Sequence, residues 1–135
     1  MPVTSFPEYA REIENVLNAA ASAGEAALVS VRIDQRSALR GFVAGLLLFN
    51  DASELNFREY VDTALTEPRL MYAYHYQDAN NDLIFRYDNA AHRPPLSQAE
   101  HKHTPTDVTA SPAPTLAQVV DEILGKMERS TIPDH

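Results

Sequence analysis

The chain has 135 residues, a formal net charge of −8 and no cysteine. A hydrophobic fraction of 44% with five Phe and six Tyr can build a core, so wholesale disorder is excluded. Without cysteine there is no disulfide framework, thiolate metal site or cysteine nucleophile. The acidic balance also argues against a general nucleic-acid coat protein, because such proteins carry a basic face. We therefore expect one domain over residues 1–135.

Targeting signals are not apparent in the sequence. No basic segment precedes an apolar run at the N-terminus, so we expect no secretory signal peptide. The longest apolar stretch covers residues 42–49, well short of the ~20 residues that a membrane-spanning helix needs. These observations predict a cytoplasmic protein without a membrane partner.

The first two predicted elements are a helix and a strand. Pro7 fits the first turn of a helix that follows Ser5, and apolar side chains recur at helical spacing until Gly24 ends the pattern. From Ala27 to Asp34, apolar and polar residues alternate. This period of two predicts a strand with one face on a core, formed by Ala27, Val29, Val31 and Ile33.

Four more strands are predicted at residues 38–49, 54–62, 70–78 and 83–89. Polar turns at 50–53 and 79–82 join them in pairs, and asparagine in the second turn tolerates the positive φ of a tight hairpin. Residues 90–114 hold five of the nine prolines and predict an extended loop. A last amphipathic helix follows, with a flexible tail at 130–135. The predicted fold is α+β, a five-stranded antiparallel β-meander packed on one face by an N-terminal and a C-terminal helix.

Hairpin register then assigns side chains to faces. A symmetric turn about residues 51 and 52 would place Leu46 opposite Phe57 and Gly45 opposite Arg58. A turn about residues 80 and 81 would place His75 opposite Arg86. The apolar face then includes Phe42, Leu46, Leu48, Tyr74, Tyr76 and Tyr87. The opposite face carries Gly41, Gly45, Arg58, Tyr60, His75, Arg86 and Asp88, with the glycines leaving space for a ligand.

Charge and histidine concentrate in one part of the chain. Four of the five histidines lie between residues 75 and 103. Residues 86–103 hold three cations and two carboxylates, a local charge of +1, so the remainder of the chain carries −9. Local positive charge within an acidic protein indicates an anionic ligand or partner at that position.

Four short runs carry a family resemblance. In chain order they are Phe57-Arg58-Glu59-Tyr60-Val61, Tyr74-His75-Tyr76-Gln77-Asp78, Phe85-Arg86-Tyr87-Asp88-Asn89-Ala90 and His101-Lys102-His103. As a series they resemble the TumE-like family of bacterial toxin–antitoxin proteins, and the resemblance covers most of the chain. It implies the toxic half of a two-gene module. The implied partner is an antitoxin that carries a helix-turn-helix DNA-binding domain.

Metal-independent cleavage of RNA is the first hypothesis for the chemistry. It needs a base for the 2′-hydroxyl, an acid for the leaving oxygen and cations for the phosphate, tasks that suit histidine and arginine. The candidate catalytic residues are His75 and His103 as the acid–base pair, Arg58 and Arg86 as clamps, and Tyr60. The candidate substrate-binding residues are Lys102, His101, His92, Tyr87 and Asp88, with Tyr60 or Tyr87 as a surface for base stacking.

Other interpretations stay open at this stage. His75 and Arg86 could be solvated neighbours across two strands, with Asp88 present to neutralise the arginine. No cofactor is expected, although His92, His101 and His103 form a weak motif for a divalent metal. The protein could also act by binding alone, and self-association is compatible with the sequence. Glu59 falls on an apolar strand face, either at an edge or paired inside.

Overall fold

The computed structural model describes residues 4–89 and 101–131 of the chain. Within these residues, seven strands form one antiparallel sheet in chain order, and two helices flank them in sequence. No described helix is long and apolar enough to cross a membrane. The elements are α1 (Phe6–Ser22), β1 (Ala26–Gln35), β2 (Arg40–Phe49), β3 (Glu54–Asp62), β4 (Arg69–Gln77), β5 (Leu83–Asp88), β6 (His101–Thr104), β7 (Asp107–Ala110) and α2 (Leu116–Thr131).

Both helices begin with side-chain caps that the sequence supplies. The hydroxyl of Ser5 accepts a hydrogen bond from the backbone N–H of Glu8, and Pro7 lies in the first turn of α1. Before α2, Thr115 and Gln118 exchange side-chain hydrogen bonds to each other's backbone N–H, a capping box. The apolar stripes of the helices pack into the core through Phe6, Ala10, Ile13, Leu17, Ala20, Leu116, Val119, Val120 and Ile123.

The two helices cover one face of the sheet, which we call the covered face. Alternate side chains of the central strands point into it, and the intervening ones point to the other side, the open face. The covered face is mainly apolar and aromatic. It carries Val43, Leu47 and Phe49 of β2, Leu55, Phe57 and Val61 of β3, Tyr72, Tyr74 and Tyr76 of β4, and Phe85 and Tyr87 of β5.

The α+β class with two helices is as predicted, but the sheet has seven strands and not five. Residues 101–110 were expected within an extended loop, and they form the hairpin of β6 and β7. Each of these strands has only four residues, too few for a periodic pattern to stand out. Residues 90–100 and 132–135 lie outside the described part of the chain. The helix α2 extends to Thr131, into the region expected to be a tail.

The predicted register between β2 and β3 is wrong by one residue. The hairpin loop has three residues, Asn50 to Ala52, and Ala52 adopts a positive φ of 67°. A loop of odd length shifts the pairing, so Gly45 lies opposite Phe57 and Ala44 opposite Arg58. The apolar and glycine positions of β2 therefore exchange faces. Phe42, Leu46 and Leu48 lie on the open face, and Gly41 and Gly45 lie on the covered face.

The glycines make space for the core and not for a ligand. A Cβ atom at Gly41 would overlap the ring of Phe6, the first residue of α1. A Cβ atom at Gly45 would lie 2.7 Å from the ring of Phe57 on the next strand. Both positions are thus occupied by aromatic rings of the covered face, which explains why they lack side chains.

The predicted register between β4 and β5 is confirmed, with His75 opposite Arg86 and Tyr74 opposite Tyr87. This hairpin also has a three-residue loop, with a positive φ of 67° at Asn81. An irregularity next to Tyr76 restores the pairing that a symmetric turn would give. The histidine and the arginine consequently face the same side of the sheet.

Glu59 is paired inside the core, which decides between the two environments left open by the sequence. The residue is 1% exposed, and its carboxylate accepts hydrogen bonds from the hydroxyls of Tyr9 on α1 and Tyr74 on β4. Arg69 donates to the same Tyr74 hydroxyl at 2.9 Å and to the carbonyl of Pro114 ahead of α2. Burial raises the pKa of Glu59, although the hydrogen bonds from Tyr74 and Tyr9 act in the opposite direction.

We expect Glu59→Gln to retain the fold and to change how stability depends on pH. A raised carboxyl pKa means that the folded protein binds a proton that the unfolded chain releases, so stability falls as pH rises above about 4.5. Glutamine carries no such proton, and the variant therefore gains stability relative to wild type as pH rises. Urea unfolding between pH 5 and pH 8 measures this difference.

Two further variants serve as references for that measurement. Glu59→Ala removes the acceptor of both tyrosine hydroxyls and is expected to lose about 2–3 kcal/mol. Glu12→Gln, at an exposed position of α1, is expected to follow wild type at every pH. The interpretation is wrong if Glu59→Gln tracks wild type with the same pH dependence.

Candidate functional site

The candidate site is formed by two rows of side chains on the open face. Each row crosses four neighbouring strands, β3 to β6, at directly paired positions. Adjacent strands lie ~4.8 Å apart, so the four members of a row span roughly 15 Å. The first row is Asn56, His75, Arg86 and His103, and the second row is Arg58, Ala73, Asp88 and His101.

A groove of about 320 Å³ runs over the first half of these rows. The small side chain of Ala73 forms part of its lining and provides the space that the sequence had suggested would come from glycines. Arg58 borders the groove with an exposed side chain and makes no ion pair with any residue of the described ranges. The groove is lined by Asn56, Phe57, Arg58, Ala73, His75, Gln77 and Arg86.

Asp88 organises the cationic side of the site. Its carboxylate is 5% exposed and accepts a hydrogen bond from Nε of Arg86 at 2.9 Å. The same carboxylate lies 3.3 Å from Nε2 of His103 and 3.9 Å from Nδ1 of His101. A buried carboxylate is stable only when it is paired, and here three basic side chains surround it. Asp88 thereby fixes the positions of the arginine and of His103.

The hydrogen bonds of His75 assign its tautomer. Arg86 has no acceptor atom, so its Nη1 donates to Nδ1 of His75, at 3.4 Å. The other ring nitrogen, Nε2, lies 3.2 Å from Oε1 of Gln77. The amide nitrogen of Gln77 donates hydrogen bonds to Oδ1 of Asn81 at 3.0 Å and to the carboxylate of Glu54 at 3.3 Å. The amide oxygen of Gln77 therefore faces the histidine and accepts its hydrogen bond. The proton of neutral His75 therefore resides on Nε2, with the lone pair on Nδ1.

Burial lowers the pKa of His75, and the positive charge of Arg86 lowers it further. The hydrogen bond to Gln77 raises it by a smaller amount. The imidazole is consequently neutral at neutral pH, which is the form that accepts a proton. The site thus combines one histidine suited to act as a base with a second histidine that lies against a carboxylate.

Gln77 and Asn56 are site residues that the sequence interpretation did not include. Gln77 follows His75 by two positions and so lies on the same strand face, a relation that period-two alternation could have revealed. Asn56 lies directly opposite His75 on β3. Only the correct strand register reveals that second relation.

The structure does not bring Tyr87 and Lys102 into this site. Both lie on the covered face, because side chains alternate along a strand. Tyr87 lies between Arg86 and Asp88, and Lys102 lies between His101 and His103, all of which point to the open face. The hydroxyl of Tyr87 donates to Glu122 of α2 at 2.6 Å, and Nζ of Lys102 donates to the same carboxylate at 3.0 Å. These two side chains anchor α2 on the sheet.

Tyr60 lies on the open face, on the same strand as Arg58 and two residues further along. It pairs across the sheet with Phe42 on one side and Met71 on the other. The half-buried phenol therefore lies next to the second row, in an apolar setting that suits a stacked base.

The predicted histidine metal motif is not assembled within the described residues. His101 and His103 share a strand face, with ring centroids 6.2 Å apart, and both lie near Asp88. The described part of the chain contains no group of three or more ligating side chains placed to hold a metal ion. The third predicted ligand, His92, lies outside the described residues.

These features define a small α+β protein whose open sheet face carries a cluster of arginine, histidine and carboxylate side chains. The chain belongs to the TumE toxin family, since the family model described as "Toxin TumE" matches residues 5–131, nearly its whole length. The sequence matches no curated protein and no solved structure. The resemblance found in the sequence is thus confirmed, and membership of a toxin family points to an antitoxin as the partner.

We expect Arg86→Gln to raise the pKa of His75, because the substitution removes the neighbouring positive charge. In the wild-type protein the midpoint of His75 lies below its ordinary value of 6.5. Titration of the histidine signals by NMR measures the midpoint, and the signal that is lost in His75→Ala identifies the residue. Arg11→Gln, an exposed arginine on α1, is the control and is expected to leave the midpoint unchanged. An unchanged midpoint in Arg86→Gln would contradict the assigned pairing.

Proposed function

We propose that the open-face site cleaves RNA without a metal ion and that this cleavage is the toxic activity. The observation that carries the proposal is the row His75, Arg86 and His103, two histidines on either side of an arginine on adjacent strands. Two strand spacings separate the histidines, about 10 Å between their backbones. That separation leaves room for one phosphodiester between the two rings, with the arginine beneath it.

Arg58 and Arg86 bind the phosphate in this proposal. Arg58 is exposed and makes no ion pair with described residues, and Arg86 is held by Asp88 through Nε alone. Its Nη1 makes only a long bond to His75, at 3.4 Å. A phosphate oxygen is a stronger acceptor than an imidazole and draws this N–H group toward itself. Substrate binding therefore frees Nδ1 of His75.

His75 then acts as the general base and His103 as the general acid. Nδ1 of His75 takes the proton of the 2′-hydroxyl, and the 2′-oxygen forms a bond to phosphorus. The bond from phosphorus to the 5′-oxygen breaks, and His103, whose Nε2 lies 3.3 Å from the carboxylate of Asp88, gives a proton to that oxygen. The arginines stabilise the charge that develops on the phosphate. The products are a 2′,3′-cyclic phosphate and a 5′-hydroxyl.

The preferred substrate is single-stranded RNA in the cytoplasm. A duplex keeps its bases stacked inside, whereas a single strand can place a base on Tyr60 while its phosphate contacts Arg58, two residues away on the same strand. The cognate antitoxin, proposed to carry a helix-turn-helix domain, binds the acidic remainder of the chain. Its basic DNA-binding surface complements the charge of −9 outside residues 86–103.

Two substitutions test the ribonuclease function. We expect His75→Ala to reduce RNA cleavage at least ~100-fold, since it removes the general base, and Arg58→Ala to reduce it about 10-fold or more. Both variants are expected to relieve growth inhibition, and His75→Ala is expected to relieve it more than Arg58→Ala. Arg11→Ala is the matched control for Arg58→Ala, because it removes an exposed arginine of α1, and it is expected to remain toxic.

Three measurements distinguish cleavage from toxicity by binding alone. Purified protein is incubated with single-stranded RNA, with and without a chelator, and the products are examined for a cyclic phosphate end. Thermal unfolding and co-purification with the neighbouring gene product show that the variants remain folded and bind the antitoxin. If His75→Ala and Arg58→Ala stay toxic, or if growth stops while RNA remains intact, the ribonuclease proposal is wrong.

A further inference from the structure

The outer edge of β1 is the most exposed apolar strand surface in the described part of the chain. β1 is the terminal strand of the sheet, ten residues long, and its outer side pairs with no described strand. Val29 is 55% exposed, and Val31 and Ile33 are each 39% exposed. Globular proteins normally protect such an edge, because its free backbone groups and apolar side chains attract another strand.

The predicted burial of Val29, Val31 and Ile33 is wrong, for a local reason. A bulge at Val29 interrupts the pairing of β1 with β2, between Leu28 and Ser30. Ala26 and Leu28, before the bulge, pack near α1 and the core. After the bulge, Val31 lies opposite Gly45 and Ile33 opposite Val43, in the terminal strand of the sheet, and each of the two side chains is 39% exposed.

The backbone of this segment presents hydrogen-bonding groups to the outside. The N–H of Arg36 donates to the carbonyl of Arg40 on β2 at 3.0 Å, and hydrogen-bonded pairs alternate along an antiparallel ladder. The backbone groups of Asp34 therefore face β2, where this residue pairs with Phe42. The N–H and C=O groups of Val31, Ile33 and Gln35 face away from the sheet and are available to a further strand.

We propose that a second copy of this chain adds its own β1 to this edge, antiparallel and about a twofold axis at Ile33. Ile33 then lies opposite Ile33 of the second copy, and Val31 lies opposite Gln35 of the second copy, with their outward backbone groups hydrogen-bonded. On the open face, Arg32 lies opposite Asp34 of the second copy, and the reverse pair forms by symmetry. The edge is thus complementary to itself in backbone, apolar contact and charge.

The charges also select the register of this dimer. A twofold axis at Arg32 would place two arginines opposite each other, and an axis at Asp34 would place two aspartates opposite each other. Both arrangements are unfavourable for directly opposed side chains. With the axis at Ile33, Arg32 of the second copy joins Asp34, which already contacts Arg36 at 3.0 Å within its own chain. The result is a continuous sheet of fourteen strands, seven from each copy. The proposed dimer does not depend on the ribonuclease proposal.

Charge reversals across the axis test the proposed dimer. Asp34→Arg creates two arginine–arginine pairs, and Arg32→Asp creates two aspartate–aspartate pairs, so each variant is expected to weaken dimerisation about tenfold or more. An equimolar mixture of the two variants restores opposite charges in a heterodimer. The double variant with both reversals restores them in a homodimer. Sedimentation equilibrium of the full chain, made by cell-free synthesis, measures each dissociation constant.

Asp107→Arg provides the matched control, because it reverses an exposed charge on β7 at the other edge of the sheet. It is expected to leave the dissociation constant unchanged. The proposal is overturned if the wild-type chain is monomeric at its highest soluble concentration. It is also overturned if a dimer forms that Asp34→Arg does not weaken or that the mixture of variants does not restore.

Discussion

The helices cover the sheet on one side only, and strand alternation then decides the surroundings of every side chain in the central strands. In β4, Tyr74 points into the core, whereas His75 points to the open face. The same rule separates Tyr87 from Arg86 and Lys102 from His103. A single chain segment therefore provides both core aromatics and polar site residues. The dense run of tyrosine, histidine and arginine in the sequence contains two interleaved surfaces with different roles.

The covered face holds ionisable groups as well as apolar ones, and each of these has a partner there. Glu59 accepts from tyrosines of two elements, and Glu122 accepts from Tyr87 and Lys102. These contacts join α1 and α2 to the sheet at defined positions, since an unpaired charge in such surroundings would be costly. The open face uses the same principle for Asp88, which lies among two histidines and one arginine. There Arg86, which is paired with Asp88, lines the groove.

The net charge of −8 is unevenly distributed along the chain, so its consequences for binding differ from one part of the protein to another. It argues against binding along the whole length of a nucleic acid, because an acidic surface does not release counterions from phosphates. It does not argue against one phosphate in the groove, where Arg58 and Arg86 lie. An acidic body with a local cationic site fits the proposed binding of a basic partner on one surface and of an anionic substrate on another.

The sequence by itself determined the α+β class, both helices, five of the strands, the family and the adjacency of His75 and Arg86. These features depend on local periodicity and on short connections, which a sequence displays directly. The register of β2 depended on one residue of loop length, and the β6–β7 hairpin was too short to show a period. The grouping of Asp88 with His101 and His103, and the burial of Glu59, were decided by tertiary structure alone. Pairing between strands distant in sequence and coverage by helices set those environments, and neither is encoded in the spacing of neighbouring residues.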